Sequence, residues 1–260
     1  MNKYYTRACN FKYGSIANKL IKNKQALPLC GNKKISFEDI EIITRNKNKI
    51  FSKVINFKKI NLLNKNQKKK VKEDLKKIIS KRKNFLKNVD FSNTSIMGIL
   101  NLTPDSFSDG GKFNSVRKSL NHISQMIKSG ANIIDVGGES TRPGSKNINP
   151  IVEWKRVRYV IKNFKKKYKN ICLSIDTRKS DLMIKSVKYR VDLINDVSGF
   201  NYDNKSLFKL KKYNVAKVLH HMQGTPNTMQ KNPKYKNVLL DIYDFFEDGI
   251  NKINSKKIIL

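Results

Sequence analysis

From residue 95 onward, short runs of apolar residues alternate with longer stretches of helical spacing. The runs fall at 96–100, 133–136, 171–175, 191–194 and 215–219. They are rich in Ile, Val and Leu and too short for buried helices, as expected of strands covered on both faces. Helical stretches are predicted over 116–128, through Trp154 and Tyr159, after Arg178, near 205–212 and over 235–253, and residues 257–260 read as the start of a sixth strand. Strands alternating with helices of this length predict a parallel sheet. The first 92 residues differ: glycine is sparse, 35–44 is strand-like, and 67–86 has helical spacing with Val71, Leu75, Ile78 and Ile79 on one face. They predict an N-terminal extension of short strands and an amphipathic helix, residues 1–92, before a main domain at 93–260.

An open doubly wound sheet and a closed eightfold barrel both fit such alternation. A doubly wound sheet gathers its chemistry at one switch point, whereas a barrel distributes it over the carboxyl ends of many strands. Here the runs end at Asn101, at Asp176 and Thr177, and at Asn195 and Asp196, and the second leads into a polar loop. The pattern predicts α/β architecture of the TIM-type (β/α)8 barrel, incomplete at about five βα units and the start of a sixth strand. The 166 residues from Ser95 to Leu260 compare with roughly 250 for a whole barrel.

Five segments carry candidate chemistry: IMGILNLTPDSFSDGG at 96–111, IIDVGGESTRPGS at 133–145, SIDTRK at 174–179, LINDVSG at 193–199 and HHMQGTPNTMQ at 220–230. The first follows a buried strand with a loop rich in oxygen ligands, of the kind that folds over a substrate. His220 and His221 are adjacent on an extended segment, so their side chains diverge and form a poor metal clamp. Asp176 and Asn195 precede helical stretches and are also candidate helix caps.

In this order the five segments closely resemble the dihydropteroate synthase family of pterin-binding enzymes, over about 165 residues. The resemblance implies condensation of 6-hydroxymethyl-7,8-dihydropterin diphosphate with 4-aminobenzoate, giving 7,8-dihydropteroate and diphosphate, with Mg2+ assisting departure of the diphosphate. By that resemblance Asn101 is the metal ligand, Asp176 and Asn195 bind the pterin ring, and Thr141 contacts the diphosphate. Phe107 and Pro143 would wall the 4-aminobenzoate pocket, and Asp109 and Arg142 would hold the two loops closed for catalysis. Met222 would line the pterin pocket, although a plain core methionine reads equally well. A homodimer is implied for a full-length member. A methyltransferase with a similar pterin-reading barrel is the nearest alternative, and the TPDSFSDGG and STRPG loops speak against it. The family continues past the point matching Leu260 with an Asp, a Lys, a Ser and an Arg near its substrates. The expectation is therefore a fragment of a longer chain, unstable and nearly inactive by itself.

Charge modifies this reading little. The chain carries 55 Lys and Arg against 20 Asp and Glu, a formal net charge of +35. Clustered, such charge would call for nucleic acid or an acidic membrane surface, and a nucleic-acid-binding protein on a barrel scaffold is the alternative from another class. The lysines are instead spread along the whole chain, so a solvated surface is expected, with no nucleic-acid partner and a field that would steer anionic substrates. For residues 1–92, an RNA-binding arm built on Lys68, Lys69 and Lys70 is the alternative to a packed extension. Cys9, Cys30 and Cys172 are odd in number and widely spaced, which predicts neither a disulfide framework nor a zinc site. No apolar signal region and no run of ~18 apolar residues occurs, so a soluble, cytoplasmic protein is expected.

Overall fold

The computed structural model describes residues 2–86, 88–103, 112–140 and 147–255, leaving aside the side chains of 112–115. The sixth strand expected at 257–260 lies outside the described residues. The chain divides into two compact units, Met1–Lys83 and Asn84–Leu260, so the division falls at Lys83 and Asn84 rather than near residue 92.

The first unit runs β1 (Lys3–Tyr13), α1 (Gly14–Lys22), β2 (Leu27–Leu29), β3 (Asn32–Asn46), β4 (Lys49–Asn56), a 3-10 turn (Phe57–Leu62) and α2 (Lys65–Ile79). β3 is the central strand. It pairs antiparallel with β1 on one side and with β2 and β4 on the other. Phe37, Ile40 and Ile42 of β3 bury against Val71 and Leu75 of α2, the apolar stripe expected from the spacing. Asn64 caps α2 by accepting from Gln67 N at 3.0 Å. The helix stops at Ile79, seven residues short of its predicted end, because Ser80 turns extended with ψ 141°. Leu86 shares the helical phase of Val71 and Leu75, yet with Val89 it packs against Ile133, Cys172 and Leu193 of the second unit. Tertiary packing decides this boundary over local periodicity.

The second unit alternates β5 (Ile96–Asn101), α3 (Lys112–Lys128), β6 (Ala131–Gly137), α4 (Pro150–Lys167), β7 (Cys172–Asp176), α5 (Ser180–Val187), β8 (Leu193–Asp196), α6 (Ser206–Leu210), β9 (Ala216–Leu219) and α7 (Val238–Ser255). Every described strand pair is parallel, and the order is β5-β6-β7-β8-β9. That order never reverses, so there is no switch point of the doubly wound kind. It is the wall of a (β/α)8 barrel, five strands of the eight.

The period of two along each strand separates the faces. Leu100, Ile134, Val136, Leu173, Ile175 and Ile194 join Val157, Ile161, Phe164 and Leu182 of the helices in the main core. The other face begins apolar, with Met97, Ile133 and Cys172 joined by Leu86 and Val89, and turns polar toward the carboxyl ends of the strands. Gly138 lets the end of β6 approach α4 closely. A Cβ there would lie 2.9 Å from Val157 Cγ1 and 3.0 Å from Glu153 O.

Candidate active site

The parallel register sets Asn101 opposite Gly137, Gly137 opposite Asp176, and Asp176 opposite Asn195. One polar row thus crosses the carboxyl ends of four consecutive strands, where barrels carry their chemistry. Three of its four members are residues singled out from the sequence. Gly137 keeps the row open: a Cβ there would point between Asn101 Oδ1, at 3.3 Å, and Asp176 Oδ2, at 3.5 Å. The carboxamide of Asn101 is exposed, whereas Asp176 and Asn195 are half-buried.

Burial pushes the Asp176 carboxyl up to about 8, reinforced by the negative fields of Asp135, Glu153, Asp196 and Glu139. Asp135 sits one layer deeper in the same face, opposite Ser174, and is 4% exposed. Burial raises its pKa too, partly offset by Ser174 and Asn195. Asn195 Nδ2 donates to Asp135 Oδ2 at 2.9 Å. Asp135 Oδ1 and Ser174 Oγ have no partner within hydrogen-bonding geometry.

Behind the row, a buried network of charges braces the loops. Arg178 donates through Nε and Nη2 to Glu139 Oε2, at 3.2 and 2.8 Å, and stacks 4.3 Å from the Tyr202 ring centroid. Lys179 Nζ donates to Glu139 Oε1 at 2.9 Å and to Glu153 Oε2 at 2.5 Å. Ile148 N also donates to Glu139 Oε1, at 3.0 Å. The two carboxylates respond differently to this setting. For Glu139, burial acts upward, but Lys179, the Ile148 amide and Arg178 together bring the pKa below its ordinary value. For Glu153, with no exposed surface, burial prevails and the pKa is raised. Asp196 is fully buried and accepts from Ser198 N, Ser198 Oγ and Phe200 N, fixing the loop after β8. That loop turns at Gly199, where φ is +60° and a Cβ would lie 2.4 Å from His220 O.

Among the remaining sequence candidates, Met222 is half-buried in the segment after β9. His221 packs among the rings of Tyr235, Phe245 and Phe246. Phe107, Asp109, Thr141, Arg142 and Pro143 lie outside the described residues. Sequence reasoning passed over Asp135, Glu139, Glu153, Arg178 and Lys179. For Asp135 a signal existed: a carboxylate between Ile134 and Val136 in an apolar run needs a partner or a purpose. Glu153 gave none, being one acidic residue in a helix. A cleft of about 690 Å³ between residues 147–150 and 201–204 includes Lys179, Asp181 and Tyr202, but no member of the polar row.

Residues 97–258 match the family model described as pterin binding enzyme. The dihydropteroate synthase of Escherichia coli K12 is 39% identical over 163 residues, 63% of this chain and 57% of the relative. That of Clostridium beijerinckii is 44% identical over 158 residues, 61% of this chain and 56% of the relative. The chain therefore spans less than two thirds of the length of these curated relatives. Among solved structures, Yersinia pestis dihydropteroate synthase with a sulfonamide drug complex superposes with a TM-score of 0.60 at 37% identity, covering 66% of this chain and 62% of that one. The Clostridium difficile enzyme in the presence of pteroic acid gives 0.57 at 40% identity, covering 64% and 60%. With the family match spanning most of the chain and the polar row at the strand ends, the chain belongs to the pterin-binding enzyme family.

Proposed function

We propose that the protein is a dihydropteroate synthase, joining 6-hydroxymethyl-7,8-dihydropterin diphosphate to 4-aminobenzoate. The observation that carries the reading is the row Asn101, Gly137, Asp176 and Asn195, in register over four strands. A pterin presents a guanidine-like edge of N–H donors. Asp176, when ionised, accepts two of them in parallel, and those hydrogen bonds stabilise the carboxylate that its buried position disfavours. Asn195 meets the neighbouring ring positions through its carboxamide.

The donor set also suits magnesium. Asn101 offers one exposed neutral oxygen beside the ring site, and Mg2+ is commonly held by one or two protein oxygens together with substrate phosphates and waters. Bound there, Mg2+ would neutralise charge on the departing diphosphate. The C–O bond to the diphosphate breaks, the new C–N bond forms from the amine of 4-aminobenzoate, and the amine gives up a proton. For the chain's own residues this chemistry is chiefly positioning: the strand-end row fixes the ring. Thr141 for the diphosphate, Phe107 and Pro143 for 4-aminobenzoate, and Asp109 and Arg142 for loop closure complete the proposal on sequence motifs alone.

Calorimetric titration with the dihydropterin diphosphate, with and without Mg2+, tests the reading. Saturable binding weakened by Asp176→Ala and Asn195→Ala, and strengthened by Mg2+ only while Asn101 is present, is expected. Binding no tighter than that of inorganic diphosphate would exclude pterin recognition.

A further inference from the structure

A carboxamide turned by 180° keeps its shape but exchanges donor for acceptor. An asparagine at the mouth of a barrel therefore specifies little unless something fixes its orientation. Asn195 is fixed from below. Its Nδ2 lies 2.9 Å from Asp135 Oδ2, and Asp135 is held in the layer beneath, 4% exposed, between Ile134 and Val136. An ionised carboxylate only accepts, so it takes an N–H from the amide. Oδ1 is thereby committed to the other side of the carboxamide.

We propose that Asp135 sets the hydrogen-bonding polarity of Asn195, making it present an acceptor to the bound ring and so select ligand edges that donate. The inference rests on the pterin reading for the identity of the ring, but not for the pairing of the two side chains. Asp135 is thus a positioning residue acting through Asn195. With Asp176 alongside in the row, the site offers acceptors from two adjacent strands. This arrangement suits a guanidine-like edge and disfavours a ring that turns carbonyl oxygens toward it.

The test separates polarity from charge because the two act in opposite directions. Asp135 helps to raise the pKa of Asp176, so removing its charge alone would ease ionisation of Asp176 and tighten pterin binding. Asp135→Asn removes the charge and also lets residue 135 donate to Asn195 Oδ1, turning a donor toward the ring. If polarity governs, affinity for 6-hydroxymethyl-7,8-dihydropterin falls about tenfold or more, the scale of one mismatched buried hydrogen bond. The exchange Asp135→Asn with Asn195→Asp restores an acceptor at 195 and recovers most of the loss. Unchanged or tighter binding by the Asp135→Asn variant, or an exchange variant no better than the single one, overturns the proposal.

A second measurement needs neither a variant nor a ligand. In the NMR spectrum of the unliganded chain, one Asn195 side-chain amide proton should exchange with solvent far more slowly than those of exposed asparagines. An Asn195 amide that exchanges as fast as an exposed one would overturn the pairing. If the amide is protected while no pterin binds, the pairing stands and the pterin reading fails.

Discussion

The raised pKa of Asp176 makes a quantitative demand on ligand binding. At about 8, roughly one Asp176 in eleven is ionised at pH 7, about one in a hundred at pH 6, and about ten in eleven at pH 9. If the pterin edge binds the carboxylate, the empty site must lose a proton first. That step costs about 1.4 kcal/mol at pH 7 and almost nothing at pH 9. The dissociation constant for a 7,8-dihydropterin should accordingly fall about tenfold from pH 7 to pH 9, and close to a hundredfold from pH 6. Titration calorimetry in buffers of different ionisation enthalpy would also register close to one proton released per ligand at pH 7. Asp176→Asn binds more weakly and without this slope, which separates ionisation of the protein from that of the ligand. A flat profile for the parent chain, or the same slope in the variant, refutes the reasoning. Stability runs the other way. The folded carboxyl holds its proton from its ordinary value of 3.8 up to about 8, so over that window the folded state binds more protons than the unfolded state and loses stability as pH rises. The melting temperature of Asp176→Asn should equal that of the parent near pH 4 and exceed it increasingly toward pH 8.

Gly137→Ala should leave the circular dichroism spectrum unchanged while weakening dihydropterin binding, because the new methyl would crowd Asn101 Oδ1 at 3.3 Å and occupy the gap beside Asp176 Oδ2, at 3.5 Å. Glu139→Gln leaves the buried Arg178 and Lys179 short of counter-charge, and a loss of about 3–5 kcal/mol in urea denaturation is expected. Cys172 has no exposed surface, and burial, first among its causes, pushes its thiol up to about 12. In the folded chain at pH 8, iodoacetamide should modify Cys9 and Cys30 well before Cys172, as peptide mass mapping would show.

The barrel wall was legible in the sequence because parallel strands covered on both faces leave uninterrupted apolar runs, and all five runs became strands. Their ends were legible for the same reason: Asn101, Asp176 and Asn195 break those runs abruptly. The first unit was harder. β1, with the sequence KYYTRACNFKY, mixes lysine and aromatic residues without clean alternation, and only Tyr5 is buried along it. No run marks it as a strand. The end of α2 was misplaced because Leu86 keeps the helical phase while its contacts lie with Ile133 and Leu193. Glu139 and Lys179 meet across 40 positions of sequence, a separation that no local pattern records.

Each strand from β6 to β9 pairs with its immediate predecessor, and this has a consequence for synthesis. A nascent chain can dock every new strand onto an edge already exposed, without awaiting partners from far downstream. Pairings that reach back only to the preceding strand favour ordered assembly from the N-terminal side during synthesis. The site should form in the same sequence, Asn101 first, then the gap at Gly137, then Asp176 and finally Asn195. A ribosome paused between β7 and β8 would hold a carboxylate still lacking its neighbouring carboxamide, and the same stall one strand later would expose the completed row.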